Sequence, residues 1–381
     1  MSLAAETVWR ATAPETADPP PGLDGPTTVE VVVVGHGGAG LTAAALLAEA
    51  GVDVVALDRG GPGAGASGRN GGFLLAGLAE AHHEVRTRLG RERATSLYRL
   101  TADALAATAE AHPTAVRRVG SLRVSRSAEE DADIAAQLAA MREDGLPVEP
   151  YDGPEGRGLR FPDDAAFQPL IRARELARRA VASGARLHGS TPVTAVDGRG
   201  VMTEAGRVTA TRGVLVAVDG GLEHVVPALA GRVRSARLQM LATAPTSDVS
   251  VPCPVYARYG LDYWQQLPDG RVALGGGRDH GGPQEWAPGF PWDAPTSAPV
   301  QAHLEQVLRE EIGTTAPVEH RWTGVVGFSP DALPVLAEPE PGLLAVGGYS
   351  GTGNLVGPLC ASWAVDRLLG RPNDLAALLT P

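Results

Sequence analysis

"VEVVVVGHGGAGLTAAALLAEAGVDVVALDRG", Val29 to Gly60, sets a β-branched run against a glycine cluster, an alanine- and leucine-rich segment and a second apolar run. Val31 to Val34 show no polar alternation, the pattern of a strand covered on both faces of a parallel sheet. Ala39 to Ala50 reads as a helix whose small side chains let it lie close to that sheet, and "VDVVAL" reads as the second strand. Glycines at 35, 37, 38, 40 and 51, with Glu49 and Asp53, interrupt the stretch and argue against a membrane span. Gly35, Gly37 and Gly40 match G-x-G-x-x-G, with Gly38 in the same turn. In such a turn the first glycine makes the bend, the second lets backbone approach a pyrophosphate, and the third lets helix and strand pack. The free N–H groups and the dipole at the helix start then favour phosphate. Asp58, at the end of the second strand and followed by Arg59, is placed to accept hydrogen bonds from a ribose.

This fingerprint alone fits either NAD or FAD. "GASGRNGGF", Gly65 to Phe73, favours FAD, because a further glycine-rich loop offers close-approach backbone to a second half of the ligand. Ser67 and Arg69 are expected near the phosphates and Asn70, Gly71 and Gly72 beside the flavin ring.

The bulk composition narrows the chemistry. A net charge of −11 and a pI near 5.3 argue against nucleic acid or an anionic membrane as partner. Cys253 and Cys360 are the two cysteines, without metal-ligand spacing, so no metal site is expected and a reducing cytoplasm fits. All 33 basic residues are arginine, which excludes any mechanism needing an amine side chain.

Outward from the first unit, the chain alternates helical, strand and turn patterns. Residues 1–27 read as a proline-rich arm without a signal-peptide pattern. Ala76 to Ala111 is helical in pattern, Arg118 to Ser127 contains a strand, and "AEEDADIAAQLAAMRED" is a further helix. Phe167 to Val196 alternates helix, turn and strand, "GVLVAVDGG" is a strand, and Gly281 to Pro299 is a Pro/Gly-rich loop. The end, "GLLAVGGYSGTGNLVGPLCASWAVDRLLG", reads as strand, glycine turn and helix.

Taken together, "VWRAT", "GHGGAG", "GASGRNGGF", "YWQQLPDGRVALGGGRD", "RWTGVVGFSPDALPVL" and "GGYSGTGN" make the chain resemble the flavoprotein family of D-amino-acid oxidase, glycine oxidase and sarcosine oxidase. Within it the likeness is greatest to the gamma-glutamylputrescine oxidoreductase branch. The resemblance implies an α/β chain, α+β overall. Its glutathione-reductase-type FAD-binding Rossmann domain would comprise residues 28–80, 155–230 and 321–381. A discontinuous mixed-sheet substrate domain would comprise 81–154 and 231–320. It also implies that Val193 meets the adenosine side through its backbone, and that Asp331, Gly348, Gly351, Thr352, Gly353 and Asn354 lie against the flavin. A helix starting near Gly353 would point its positive end at the ring edge where charge gathers on reduction. The same residues could instead form a second nucleotide site for NAD, although their spacing is not G-x-G-x-x-G.

Two departures from the family stand out. Sarcosine oxidases carry a covalent flavin on a cysteine seven residues before the aspartate matching Asp331, where this chain has Gly324, so the FAD is expected to be non-covalent. They also activate oxygen with a lysine, and this chain has none, which leaves the electron acceptor as oxygen or an unknown.

At the substrate end, Tyr256, Tyr259, Tyr263 and Trp264 cluster in sequence, as do Trp286, Phe290 and Trp292, and could wall an amine. Arg258 and Arg237 could pair with a substrate carboxylate. His82, His83 and His280 are candidate bases without a decisive context. Tyr263, Arg258 and Tyr349 are the residues expected to carry catalysis. The expected reaction is oxidation of the C–N bond of a small-molecule amine or amino acid to an imine, by hydride transfer to flavin N5 in the cytoplasm. The alternatives are a nicotinamide-linked dehydrogenase, a flavin dehydrogenase with a non-oxygen acceptor, and a flavoprotein of this fold catalysing a non-oxidative or biosynthetic rearrangement.

Overall fold

The β-branched run becomes the buried strand its composition implies. In a computed structural model that describes residues 6–14, 19–286 and 294–380, strand β1 spans Thr27–Val34, and Val31, Val32 and Val33 are fully buried. It pairs in parallel with β2, Val54–Leu57, on one side and with the long strand Gly206–Val216 on the other. Arg186–His188 extends the parallel array beyond β2, and Leu343–Gly347 joins it alongside Gly206–Val216. An antiparallel meander of Val193–Asp197 and Gly200–Thr203 completes one end of this eight-stranded sheet, and Val335–Glu340 pairs with Leu343–Gly347.

Between β1 and β2 runs helix α2, Gly38–Glu49, in the place the glycine spacing calls for. Its inward residues are alanine, leucine and glycine, so it packs closely between the helices Pro169–Ala182 and Gly353–Leu369. The closest approach is at Gly40, where a Cβ would overlap the carbonyl oxygen of Gly35. This sheet and its helices form one compact unit of residues 13–68, 169–236 and 325–381, called here the parallel-sheet unit.

The other compact unit comprises residues 1–12, 69–168 and 237–324. An eight-stranded sheet runs in the order Val318–Phe328, Arg234–Thr243, Val272–Gly276, Asp262–Gln266, Val255–Ala257, Ser121–Val124, Gly156–Phe161, Glu149–Gly153; Val255–Ala257 and Ser121–Val124 pair in parallel, and from Arg234–Thr243 to Val255–Ala257 and from Ser121–Val124 to Glu149–Gly153 neighbours are antiparallel. Leu122, Val255, Trp264, Val272 and Leu274 pack there with Val300 and Leu304 of the helix Ala298–Gln306. The helices His82–Leu89, Arg91–Ala111 and Ala128–Glu143 and a three-stranded sheet of Phe73–Leu74, Ala165–Phe167 and Val116–Arg117 complete this antiparallel-sheet unit.

The grouping of segments differs from the sequence reading at four places. Residues 231–236, read with the substrate domain, cluster with the parallel-sheet unit, and residues 321–324, read with the nucleotide-binding domain, cluster with the antiparallel-sheet unit. Residues 69–80 and 155–168, assigned there with the nucleotide-binding domain, cluster here with the antiparallel-sheet unit. The reason is strand pairing: Phe73–Leu74 binds Ala165–Phe167, and Gly156–Phe161 lies between Ser121–Val124 and Glu149–Gly153. Residues 1–27 also do more than trail as an arm. Val8–Thr12 is a short helix, α1, with Val8 and Trp9 fully buried in the antiparallel-sheet unit. Pro21 and Leu23 run along the parallel-sheet unit, where Gly189 N–H donates to the Pro21 carbonyl and Leu23 N–H to Thr191 Oγ1. Of the Pro/Gly-rich loop, Phe290 and Trp292 lie outside the described residues.

Because a methyl group at Gly40 would meet rigid backbone, Gly40→Ala is expected to destabilise the cofactor-free protein by about 1–3 kcal/mol. Chemical denaturation of the purified apoprotein measures this, and an unchanged midpoint would contradict the packing described.

Candidate active site

In the parallel-sheet unit the site is built on the turn from β1 to α2. Gly35 sits at φ 115°, and a Cβ there would lie 2.5 Å from the Ala217 carbonyl oxygen. Gly37 caps α2 in extended conformation with no side chain to fill the first turn. Ser67 Oγ accepts the Gly38 N–H at 2.9 Å, which sets a hydroxyl on the helix start. Asp58 clamps the turn from the other side: its carboxylate accepts the N–H of His36 and the N–H of Gly60, each at 2.7 Å. Thr191 N–H donates to the Asp58 carbonyl, bringing the segment before Val193 alongside the end of β2. Arg59, beside Asp58, is exposed.

A second cluster of the same unit surrounds the start of the helix Gly353–Leu369, which begins where the sequence places it. Thr352 precedes it with its hydroxyl donating to the Tyr349 carbonyl at 2.8 Å, and Arg172 Nη1 donates to the Asn354 carbonyl at 2.7 Å. The Tyr349 ring packs over Gly353 and Gly357. Its hydroxyl is buried without a partner among the described residues, and burial holds the phenol in its neutral form. Asp219 ties the loop down by accepting the N–H of Gly327 and of Tyr349, both at 3.1 Å. Desolvation pushes its carboxyl up to about 6 against the pull of these backbone donors. Gly348 and Gly351 lie in the same loop, and Asp331 closes a local turn through the Leu333 N–H.

The antiparallel-sheet unit holds the loop "RNGG". All four of its carbonyl groups are held by side-chain N–H donors. Trp322 Nε1 reaches Arg69 O at 2.8 Å, Trp9 Nε1 reaches Asn70 O at 2.8 Å, and Gln265 Nε2 reaches Gly71 O at 2.6 Å and Gly72 O at 2.9 Å. Asn70 Oδ1 accepts the Gly72 N–H at 2.9 Å, and Arg69 Nε donates to the Thr323 carbonyl at 2.6 Å. At Gly72, φ is 73° and a Cβ would stand 2.6 Å from the Phe167 carbonyl oxygen; at Gly71 it would stand 2.9 Å from the Tyr263 ring.

Of the four aromatic residues that cluster in sequence, only Tyr263 lies against this loop. Its ring fits between Gly71 and Gly275 and meets Phe73 edge-on at 5.9 Å. Trp264, the next residue on the strand, points the opposite way into the core, Tyr256 packs with Tyr98 and Met141, and Tyr259 is exposed. Trp286 lies under the Arg278 guanidinium at 4.1 Å.

Two arginines expected to meet a substrate carboxylate already hold protein carboxylates. Arg237 forms a buried two-point pair with Glu285, at 2.8 and 2.7 Å. Arg258 pairs with Asp262 at 2.8 Å and with Asp279. The histidines are likewise engaged: His82 with Asp144 at 2.7 Å, His83 with Asp133 at 3.2 Å, and His280 stacked on His303 at 3.9 Å. Trp9, Trp322, Gln265 and Asp219 were not singled out from sequence; the first three stand in quoted motifs, but nothing local shows where their donors point.

The glycine turn, the hydroxyl of Ser67 and the anchored Asp58 form a cradle that fits a dinucleotide. The description "FAD dependent oxidoreductase" matches residues 30–367. The chain belongs to that family. It is an oxidoreductase whose cofactor is FAD. Over 397 aligned residues it is 28% identical to a probable oxidoreductase OrdL of Rhizobium meliloti (strain 1021), covering 97% of this chain and 90% of the relative. It is 26% identical to the gamma-glutamylputrescine oxidoreductase of Escherichia coli (strain K12), covering 86% and 80%. Among solved structures, the glycine oxidase of Geobacillus kaustophilus superposes with a TM-score of 0.76 at 21% identity, over 93% of this chain and 99% of that one. No helix among the described residues is long and apolar enough to cross a membrane.

Two outcomes follow from this geometry. Asp58→Ala is expected to weaken FAD binding roughly 10–100-fold, since it removes a charged acceptor from the His36 N–H of the turn and the Gly60 N–H of the loop after β2. Titration by flavin fluorescence measures it, and an unchanged affinity would contradict the role. For Asp219 the folded carboxyl lies above its unfolded value, so its contribution to stability is present at low pH and is lost as pH rises from about 4 to about 6. The wild type minus Asp219→Asn stability difference should decline across that window by up to about 1.4 kcal/mol per pH unit. A difference that stays flat or rises would refute the assignment.

Proposed function

We propose that this enzyme oxidises the C–N bond of an amine or amino acid to an imine. The observation that carries the reading is the carbonyl-anchored "RNGG" loop with Tyr263 packed on Gly71, in a chain of the FAD-dependent family whose relatives act on nitrogen compounds. The names of those relatives include gamma-glutamylputrescine oxidoreductase, glycine oxidase and iminodiacetate oxidase.

The cofactor would be held non-covalently, since Gly324 offers no side chain for attachment. Its adenosine diphosphate would use Gly35, Gly37, Gly38, Gly40, Ser67 and Asp58, with the Val193 backbone on the adenosine side. Its ring would use Asn70 to Gly72. When bound, FAD supplies the two-electron acceptor, at N5, for the substrate's α-carbon hydride. The amine must arrive neutral, and its N–H proton leaves to water as C=N forms. Tyr263 supplies an aromatic wall for the amine, and burial keeps its phenol protonated, so it takes no proton. Catalysis is then mainly positioning, with the candidate bases His82, His83 and His280 each engaged by other residues of the protein.

The acceptor for the second half-reaction is oxygen or another oxidant such as a quinone or an electron-transfer protein. The complete lack of lysine favours the second, because no ammonium group is available beside the ring.

Anaerobic mixing of the holoenzyme with primary amines, secondary amines and amino acids tests the reaction. At least one class should bleach the visible flavin band and yield the imine or its hydrolysis product. Failure of every amine, with bleaching by hydroxy acids or reduced nicotinamide, would overturn it. Slow recolouring in air would place the acceptor elsewhere than oxygen.

A further inference from the structure

We infer that the N-terminal helix α1 is a working part of the flavin site, and that Trp9 is a positioning residue for the loop Arg69–Gly72. The inference rests on the proposed placement of that loop beside the flavin ring. Residues 8–12 precede the span matched by the family, which begins at residue 30. Yet Trp9 is fully buried, and its indole N–H holds the Asn70 carbonyl at 2.8 Å.

The helix is itself secured at several points. Gln168 Nε2 donates to the Trp9 carbonyl at 2.6 Å, and His320 Nδ1 stands 3.0 Å from the Glu6 carbonyl. The Trp9 ring meets Trp322 edge-on at 6.5 Å, and Trp322 holds the neighbouring carbonyl, that of Arg69. A Cβ at Gly72 would also stand 3.0 Å from Trp9 Cη2, so the indole packs against the loop as well as bonding to it. Two consecutive carbonyls are therefore fixed by two indoles in contact with each other. An indole N–H has one donor and no acceptor, so each is committed to a single carbonyl orientation. Fixing successive carbonyls fixes the peptide planes between them, and with them the backbone that glycine leaves bare at 71 and 72. Trp9 thus acts on the reaction through the loop and not by touching substrate.

The test uses the full-length holoenzyme. Trp9→Phe keeps an aromatic ring against Trp322 and removes the N–H. FAD should still bind, but the resolved visible absorption and circular dichroism bands of the bound flavin should shift. The anaerobic reduction rate by the best amine should fall about tenfold, with KM changed less. Should Trp9→Phe fail to fold, 3-benzothienylalanine at position 9 has the same bicyclic shape without the N–H and should give the same shifts. Arg10→Ala, exposed on the same helix, should change none of them. A folded N–H-free variant with unaltered flavin spectrum and reduction rate would overturn the inference. Gly71→Ala separates the two readings, since its methyl would press on Tyr263 within the loop. If it alters the spectrum while the Trp9 variants do not, only the role of Trp9 fails. If neither alters it, the loop is not at the flavin and the underlying placement fails too.

Discussion

The close seat of α2 on β1 is the constraint from which the nucleotide site follows. At Gly40 the helix is near enough to the Gly35 carbonyl that no side-chain carbon fits between them. This closeness directs the helix N-terminus at the end of the strand and leaves its first N–H groups at the sheet's carboxyl edge, where phosphate is stabilised. Asp58 then ties the bend to the loop after β2 by accepting the N–H of His36 and of Gly60, and Ser67 accepts the N–H of Gly38. The same closeness demands alanines along α2, which is why this segment is so poor in large residues.

In the antiparallel-sheet unit a different principle organises the loop that follows. Glycine gives conformational freedom, and freedom in a reactive site costs precision unless something restrains it. The restraint is a set of side-chain donors, two indoles and one carboxamide, each buried and each bonded to backbone. Arginine performs the remaining electrostatic work. Its planar fork suits two-point pairing, as in Arg237 with Glu285 and Arg179 with Glu49. Cations bound in this way serve the framework, and they account for Arg237 and Arg258 lying in ion pairs where the sequence alone suggested substrate anchors.

How much could be read beforehand depended on distance along the chain. The unit from β1 to β2 was legible because a β-branched run, glycine spacing and a terminal aspartate are local signals. The helix start at Gly353 was legible for the same reason, whereas the strand read over Gly213 to Gly221 in fact spans Gly206–Val216. Trp9, Trp322 and Gln265 were not, since their partners lie 61, 253 and 194 residues away and any buried Trp or Gln reads as core. The aromatic cluster misled because neighbours on a strand face opposite sides, so Tyr263 and Trp264 part company despite their adjacency. The proline-rich look of the first residues concealed a buried helix only five residues long.

The central claim is that this fold holds one FAD without a covalent bond. Mass spectrometry of the purified protein under native and then denaturing conditions tests it most directly. The account predicts a native mass with one FAD per chain, and a denatured chain at the mass of its sequence alone with intact FAD released. A native chain with no flavin, or a denatured chain that retains the flavin mass, would contradict it.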